Sequence, residues 1–135
     1  MADVSIIIVN WNGRRLLSAC IESILLQTYS KYEIILVDNN SHDDSVAFVS
    51  SQFPQVKVIM LDENRGFTGG NIEGLKQAEG RYIVLLNNDA VLTSQWLEYM
   101  VSAVESDGTI GICASKIIIQ GTNLIDSAGD CFTTA

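Results

Sequence analysis

Short apolar runs and amphipathic stretches take turns along this chain from its first residues. Val4–Val9, Tyr32–Val37, Val56–Leu61 and the run from Tyr82 to Leu86 are brief and rich in aliphatic residues. Gly, Asn, Asp or Pro bound them, so they read as buried strands. Between the first two, Leu16, Leu17, Cys20, Ile21, Ile24 and Leu25 recur at helical spacing and predict a helix from about Arg14 to Gln27. A second helix is predicted from about Asp43 to Phe53, with Ser41 or Asp43 as its cap and Pro54 beyond its end. A third covers about Gly69–Ala78 and stops at Gly80. Trp96, Leu97, Met100, Val101 and Val104 share one face of a fourth, capped by Thr93 or Ser94 and ended by Gly108. Ile110–Ala114 and Ile117–Ile119 read as further short strands, and the pattern fades after Gln120. Without repeats or linkers, residues 1–135 are expected to form a single domain. Strands alternating with helices specify an α/β fold with a doubly wound, mainly parallel sheet and right-handed crossovers.

Three of these runs end in side chains that make hydrogen bonds. The fourth strand runs into Asn87-Asn88-Asp89, the second into Asp38-Asn39-Asn40-Ser41, and the first into Asn10-Trp11-Asn12-Gly13. Open α/β sheets bind ligands at the carboxyl ends of their strands, so the three termini read as one site. Asp89, a single carboxylate among amides, suits a divalent cation shared with substrate phosphates; an Asn-rich turn is the alternative. Asp38 stands where a carboxylate commonly holds a ribose hydroxyl, and an amide such as Asn39 can pair with a base edge. An Asx turn capping the second helix explains the same pair. Gly66-Phe67-Thr68-Gly69-Gly70-Asn71 either lets backbone amides approach a phosphate or makes a flexible helix start. No Gly-x-x-x-x-Gly-Lys-Ser/Thr occurs, and the turn after the first strand holds only Gly13, which argues against a P-loop and against hydride chemistry.

Charge narrows the partners. The net charge is −8 and the pI about 4.4, which argues against nucleic acid and against an electrostatic membrane patch. The chain has 135 residues, 47% of them apolar, enough for a real core. The three cysteines, Cys20, Cys113 and Cys131, lack metal-ligand spacing, and Cys20 falls on an apolar helical face. A reducing, cytoplasmic setting fits, with no membrane span and no signal-peptide order at the N-terminus. The sequon Asn39-Asn40-Ser41 is then a coincidence, and His42 reads as a surface residue.

Val4-Ser5-Ile6-Ile7-Ile8-Val9-Asn10-Trp11-Asn12, Glu22-Ser23-Ile24-Leu25-Leu26-Gln27-Thr28-Tyr29 and Ile35-Leu36-Val37-Asp38-Asn39-Asn40-Ser41 together resemble family 2 glycosyltransferases. Ala78-Glu79-Gly80-Arg81-Tyr82 leading into Leu86-Asn87-Asn88-Asp89 extends the match. Asn64-Arg65-Gly66-Phe67 and Ile125-Asp126-Ser127-Ala128-Gly129 resemble the rhamnosyltransferase-like branch. The resemblance implies a GT-A, Rossmann-like fold and inverting transfer of a sugar from a nucleoside diphosphate, UDP or dTDP favoured, to a saccharide or lipid-linked acceptor. Val9 and Asn10 would line the base pocket, with Asp38 beside them. Asn39 stands where the family often has a second Asp that reads the pyrimidine imide. Arg65 would meet the diphosphate, and Asn71 and Asn88 complete the nucleotide contacts. Asn87-Asn88-Asp89 matches the family's D-x-D-like element, with Asp89 as ligand to Mg²⁺ or Mn²⁺.

The resembling enzymes carry a general base, Asp or Glu, well after the metal motif. Asp126 and Asp130 are late carboxylates, but neither matches that motif, and no catalytic residue is assigned. The expectation is a nucleotide-sugar-binding part whose C-terminal acceptor part is missing, nearly inactive alone, acting in the cytoplasm or at the membrane's inner face through its acceptor. An uncovered apolar face near Ile117–Ile119 would favour self-association. The rival readings are a donor-binding module without transfer and a sugar nucleotidyltransferase.

Overall fold

The computed structural model describes residues 2–128. Asp130 and Cys131 lie outside them. By its contacts the chain divides into two compact units, Met1–Gln95 and Trp96–Ala135.

The first unit is built on a four-stranded parallel sheet. Its strands are β1 (Val4–Asn10), β2 (Tyr32–Asp38), β3 (Lys57–Met60) and β4 (Tyr82–Asn87), in the order β3-β2-β1-β4. β1 is central because it is apolar on both faces. Val4, Ile6, Ile7 and Ile8 are all fully buried. Helices α1 (Arg14–Leu25) and α2 (Ser45–Gln52) connect β1 to β2 and β2 to β3, stepping in one direction. Helix α3 (Gly66–Leu75) returns over β2 and β1 to β4, so right-handed crossovers put it on the opposite face. There Ile7, Ile35 and Val37 form a buried cluster, with Val9, Ile59, Leu61 and Ala78 packed on it.

Close approach sets the position of α3. A Cβ on Gly74 would lie 2.5 Å from Ile7 Cγ2, and one on Gly70 would lie 2.7 Å from Val9 Cγ1. These two glycines serve helix–sheet contact, and of the glycine-rich stretch Gly66–Asn71 it is the helix start that the structure shows. The helix also starts at Gly66, earlier than its apolar pattern indicated, and ends before Ala78. At the other end of the sheet, Gly80 passes so near the Ser5 backbone that a Cβ would sit 2.5 Å from its nitrogen. Glu33 Oε1 and Ser5 Oγ accept the Glu79 and Gly80 N–H groups there and set the start of β4.

Three further expectations need correction. In α1 only Leu17, Cys20, Ile21 and Ile24 of the apolar set are buried, while Leu16 and Leu25 stand at its exposed margin. Among the described residues β4 stands at the edge of its sheet with Ile83 and Leu85 exposed, less buried than its apolar run indicates. Ile110–Ala114 forms no strand. Gly111 interrupts it, and no ladder partner lies beside it among the described residues.

The second unit contains α4 (Trp96–Ser106) and an antiparallel pair of short strands, β5 (Ile117–Ile118) and β6 (Ile125–Ser127). The turn after α4 is held by Asp107, whose Oδ1 accepts both the Thr109 N–H and its hydroxyl. Ile117, Ile118 and Ile119 are about half exposed, at 52%, 48% and 46%.

Candidate functional site

Register brings the polar strand ends level. Asn10 pairs with Asp38, and Val9 with Asn87, so the residues just past β4 lie beside Asn10. Asn10 is fully buried and is the hub. Its Nδ2 donates to Asp38 Oδ1 at 3.2 Å and to Ser41 Oγ at 3.3 Å. Its Oδ1 accepts from Asn88 Nδ2 at 2.9 Å. One carboxamide therefore ties together the carboxyl ends of β1, β2 and β4.

Gly13 belongs to this arrangement although its spacing gave no hint of it. A Cβ there would sit 2.3 Å from Asn88 Nδ2 and 2.4 Å from Asn10 Oδ1. Only glycine leaves room for the Asn10–Asn88 bond. Ser41 belongs to the polar end of β2 and is also a candidate helix cap. Its hydroxyl instead accepts from Asn10 and from the Asn12 backbone at 2.9 Å. Asn12 and Asn40 adopt positive φ, 51° and 61°, which asparagine tolerates better than most residues. Asn12 Oδ1 then accepts the His42 N–H at 2.8 Å, and His42 itself is exposed, as expected.

Asp38 accepts the Ser41 N–H at 2.9 Å while remaining 3% exposed at the strand end, so its carboxylate closes the turn after β2 and does not cap the second helix. Asp43 does the capping. One oxygen accepts the Arg14 N–H at the start of α1, and the other accepts the Ser45 N–H and hydroxyl at the start of α2. Burial pushes the Asp43 carboxyl up, but these hydrogen bonds outweigh it and hold it below its ordinary range. Beside it, the Arg14 guanidinium lies over the Phe48 ring, 3.2 Å from its centroid, and Nε stands 3.6 Å from Asp44.

Asn39 is 2% exposed. Its Oδ1 accepts the Arg65 N–H at 2.9 Å and its Nδ2 donates to Gly66 O at 3.0 Å. The atoms foreseen for a base edge are thus bonded to the β3–α3 turn, and so deep a side chain is no acceptor for a glycan at the sequon. Arg65 follows β3 at the head of α3. Its guanidinium meets Asp62 at 2.9 Å, Glu73 at 3.1 Å and Glu63 at 3.5 Å, so this exposed charge is paired. Asn71 is buried inside α3, with Nδ2 donating to Phe67 O at 3.0 Å and Oδ1 buried without a hydrogen-bond partner.

Asp89 is exposed just past β4. Among the described residues no group of three or more His, Cys, Asp or Glu side chains is placed to hold a metal. One exposed carboxylate beside carboxamides does fit a hard cation that takes most of its oxygen ligands from elsewhere, as phosphates provide. Under this turn Cys20 is buried, and its thiol lies 3.6 Å from Asn87 O. Burial, with the Asp89 charge adding to it, pushes that thiol up to about 12, which makes it an inert core group.

Residues 5–131 match the family described as Glycosyl transferase family 2. The UDP-Glc:alpha-D-GlcNAc-diphosphoundecaprenol beta-1,3-glucosyltransferase WfgD of Escherichia coli is 28% identical over 124 residues, covering 90% of this chain and 49% of that protein. S. aureus TarS 1–349 in complex with UDP superposes with a TM-score of 0.72 at 23% identity, over 78% of this chain and 32% of that one. The mannosyltransferase PcManGT of Pyrobaculum calidifontis, in complex with GDP-Man and Mn²⁺, gives 0.70 at 24% identity, over 81% and 34%. These likenesses show a GT-A fold. The chain spans a third to a half of the length of these relatives.

Proposed function

The chain belongs to glycosyl transferase family 2, and on that premise we propose that it binds a nucleoside-diphosphate sugar across the carboxyl ends of β1, β2 and β4. The whole protein would transfer the sugar, with inversion and metal dependence, to a hydroxyl of a saccharide or lipid-linked glycan, as in the rhamnosyltransferase-like branch. One observation carries this reading. The Asn10 carboxamide joins Asp38 and Ser41 to Asn88, immediately before Asp89, in a single polar line. Such a line suits an extended ligand with a nucleoside at one end and phosphates at the other.

Asp38 would hold ribose hydroxyls, with Val9 and Asn10 flooring the base side and Asn71 behind them in α3. Arg65 would meet the diphosphate after exchanging part of its carboxylate contacts. Asp89 would hold Mg²⁺ or Mn²⁺ together with the donor phosphates, with Asn88 alongside. When bound, that cation offsets charge on the departing diphosphate. No described carboxylate is given the role of general base. The UDP complex of TarS and the GDP-Man and Mn²⁺ complex of PcManGT support a nucleotide-sugar donor and a divalent cation. We favour a UDP or dTDP donor. No helix among the described residues is long and apolar enough to cross a membrane. A cytoplasmic protein that meets the membrane's inner face through its acceptor suits that.

Thermal-shift and calorimetric titrations with UDP-, dTDP- and GDP-sugars, with and without Mn²⁺, test the proposal. A bound donor stabilises by about 2.7 kcal/mol at a hundred times its dissociation constant. Mn²⁺ alone is expected to bind weakly and to bind tightly with UDP. Absence of nucleotide binding, or identical Mn²⁺ affinity in both cases, overturns it.

A further inference from the structure

We propose that Asn39 is a positioning residue that fixes the β3–α3 turn through its carboxamide and does not read the nucleobase. The proposal rests on the functional reading of this crevice as a nucleotide site. Its geometry is independent of that reading. Asn39 is 2% exposed, and both polar atoms of its side chain are bonded to backbone. Oδ1 accepts from Arg65 N and Nδ2 donates to the next residue's carbonyl, a two-point clasp on consecutive residues. The Asn39 N–H in turn donates to Asn10 O at 2.8 Å, so the clasp is anchored on the end of β1.

The held turn has two features that require holding. Gly66 has φ +67°, and Arg65 at the N-cap position makes no side-chain cap to α3. The Gly66 N–H is met only locally, by Asn64 Oδ1 at 2.8 Å. The clasp thus fixes where α3 begins and where the Arg65 side chain departs. It also explains a chemical choice. A carboxylate accepts but cannot donate, so Asp at position 39 would satisfy Arg65 N–H while facing the Gly66 carbonyl oxygen with no proton between them. Only a carboxamide satisfies both groups. Asn39 is therefore the residue the clasp demands, not a weakened version of a base-reading Asp.

The test uses the full chain with Asn39→Ala and Asn39→Asp, after melting curves establish that each variant is folded. Amide exchange at the Arg65 N–H should lose its protection in Asn39→Ala. Both variants should weaken UDP by roughly tenfold or more, Asn39→Ala through two lost hydrogen bonds and Asn39→Asp through one lost bond and the oxygen–oxygen repulsion that replaces it, while uridine changes by less than about threefold. The preference for UMP over 3-methyluridine monophosphate should be equal in wild type and Asn39→Ala. If Asn39→Asp binds UDP as well as wild type does, or Asn39→Ala erases the UMP preference, Asn39 reads the base and the proposal falls. A wild type that binds neither UDP nor uridine overturns the nucleotide reading instead, and the exchange measurement alone then decides the clasp: unchanged protection refutes it.

Discussion

The two ends of the polar line are held in opposite ways. At the β1–β2 end, Asn10, Asp38 and Asn39 are 0%, 3% and 2% exposed, and each side chain is bonded to another strand end or loop. Asn12, Ser41, His42 and Asp43 knit the two following loops together. At the β4 end, Asn87 on the strand and Asp89 just past it are exposed, and Asn88 is the link to the rest. The first end is preorganised by the chain itself, so a ligand there meets fixed donors and acceptors. The second offers a lone carboxylate whose coordination a ligand must complete. Nucleotide and metal should therefore depend on each other asymmetrically, the nucleoside binding without metal and the metal binding poorly without nucleotide.

Removing the open end's carboxylate gives the largest expected effect. Asp89→Ala should abolish the enhancement of UDP binding by Mn²⁺, a loss of about 100-fold or more, comparable to the upper range for disturbing a metal site. Its melting temperature should stay within a degree or two of wild type, because the side chain is exposed. Asp38→Ala should behave differently, lowering affinity and stability together, since Asp38 accepts from Asn10 and Ser41. Calorimetry beside denaturant melts separates the two patterns. Equal stability losses in both variants would erase the contrast between the ends.

Next comes the platform under the preorganised end. Gly74→Ala puts a Cβ 2.5 Å from Ile7 Cγ2 and 3.2 Å from Val37 Cγ2, so α3 must shift. Overpacking of this kind costs about 1–3 kcal/mol, read as a lower denaturant midpoint at unchanged slope. Gly108→Ala, with open space around it, should cost far less. A neutral Gly74→Ala would mean that α3 is not held by close contact with β1.

Asp43 gives a smaller, pH-dependent effect. Its carboxyl caps α1 and α2 together, and its pKa is lowered from the ordinary 3.8. A lowered folded value means that the stabilisation is present above the unfolded pKa and is lost as pH falls through the folded one. Asp43→Ala should cost about 1 kcal/mol at neutral pH, and the gap to wild type should close below about pH 4. A gap that stayed constant into acid would assign the loss to packing.

Much of this was legible in the sequence because it follows from local pattern. The buried runs of β1 and β2, the apolar face of α1, and polar residues at three strand ends need only periodicity and turn chemistry. What was not legible depends on pairing at a distance. Asn39 reads as a base contact until the Arg65–Gly66 backbone is seen against it. Gly13 reads as a turn until the Asn10–Asn88 bond is seen to fill its space. The stretch from Gly66 to Asn71 reads equally as a phosphate loop or a helix start, because sequence cannot show that Val9 presses on Gly70. Ile110–Ala114 has strand composition but no strand to pair with among the described residues, and the expected strand β5 pairs with β6, which lies where the pattern had faded. A ladder is a property of two segments, and composition reports only one.

The smallest effect concerns Arg65, between the two ends. Its guanidinium stands among Asp62, Glu63 and Glu73, with Lys76 drawing Glu73 at 2.9 Å. Arg65 is over a third exposed, so each of these pairs is screened and individually weak. Exchange of one carboxylate for a diphosphate is then an exchange between comparable partners, favoured by the greater charge of the phosphates. Glu73→Gln removes one competitor without touching the Asn39 clasp. It should tighten UDP by no more than about threefold, leave the melting temperature unchanged, and lose that advantage in high salt, where the remaining competition is screened. A weaker UDP affinity in Glu73→Gln would mean that Glu73 holds Arg65 in its binding pose, and the carboxylates would then be part of the preorganised end.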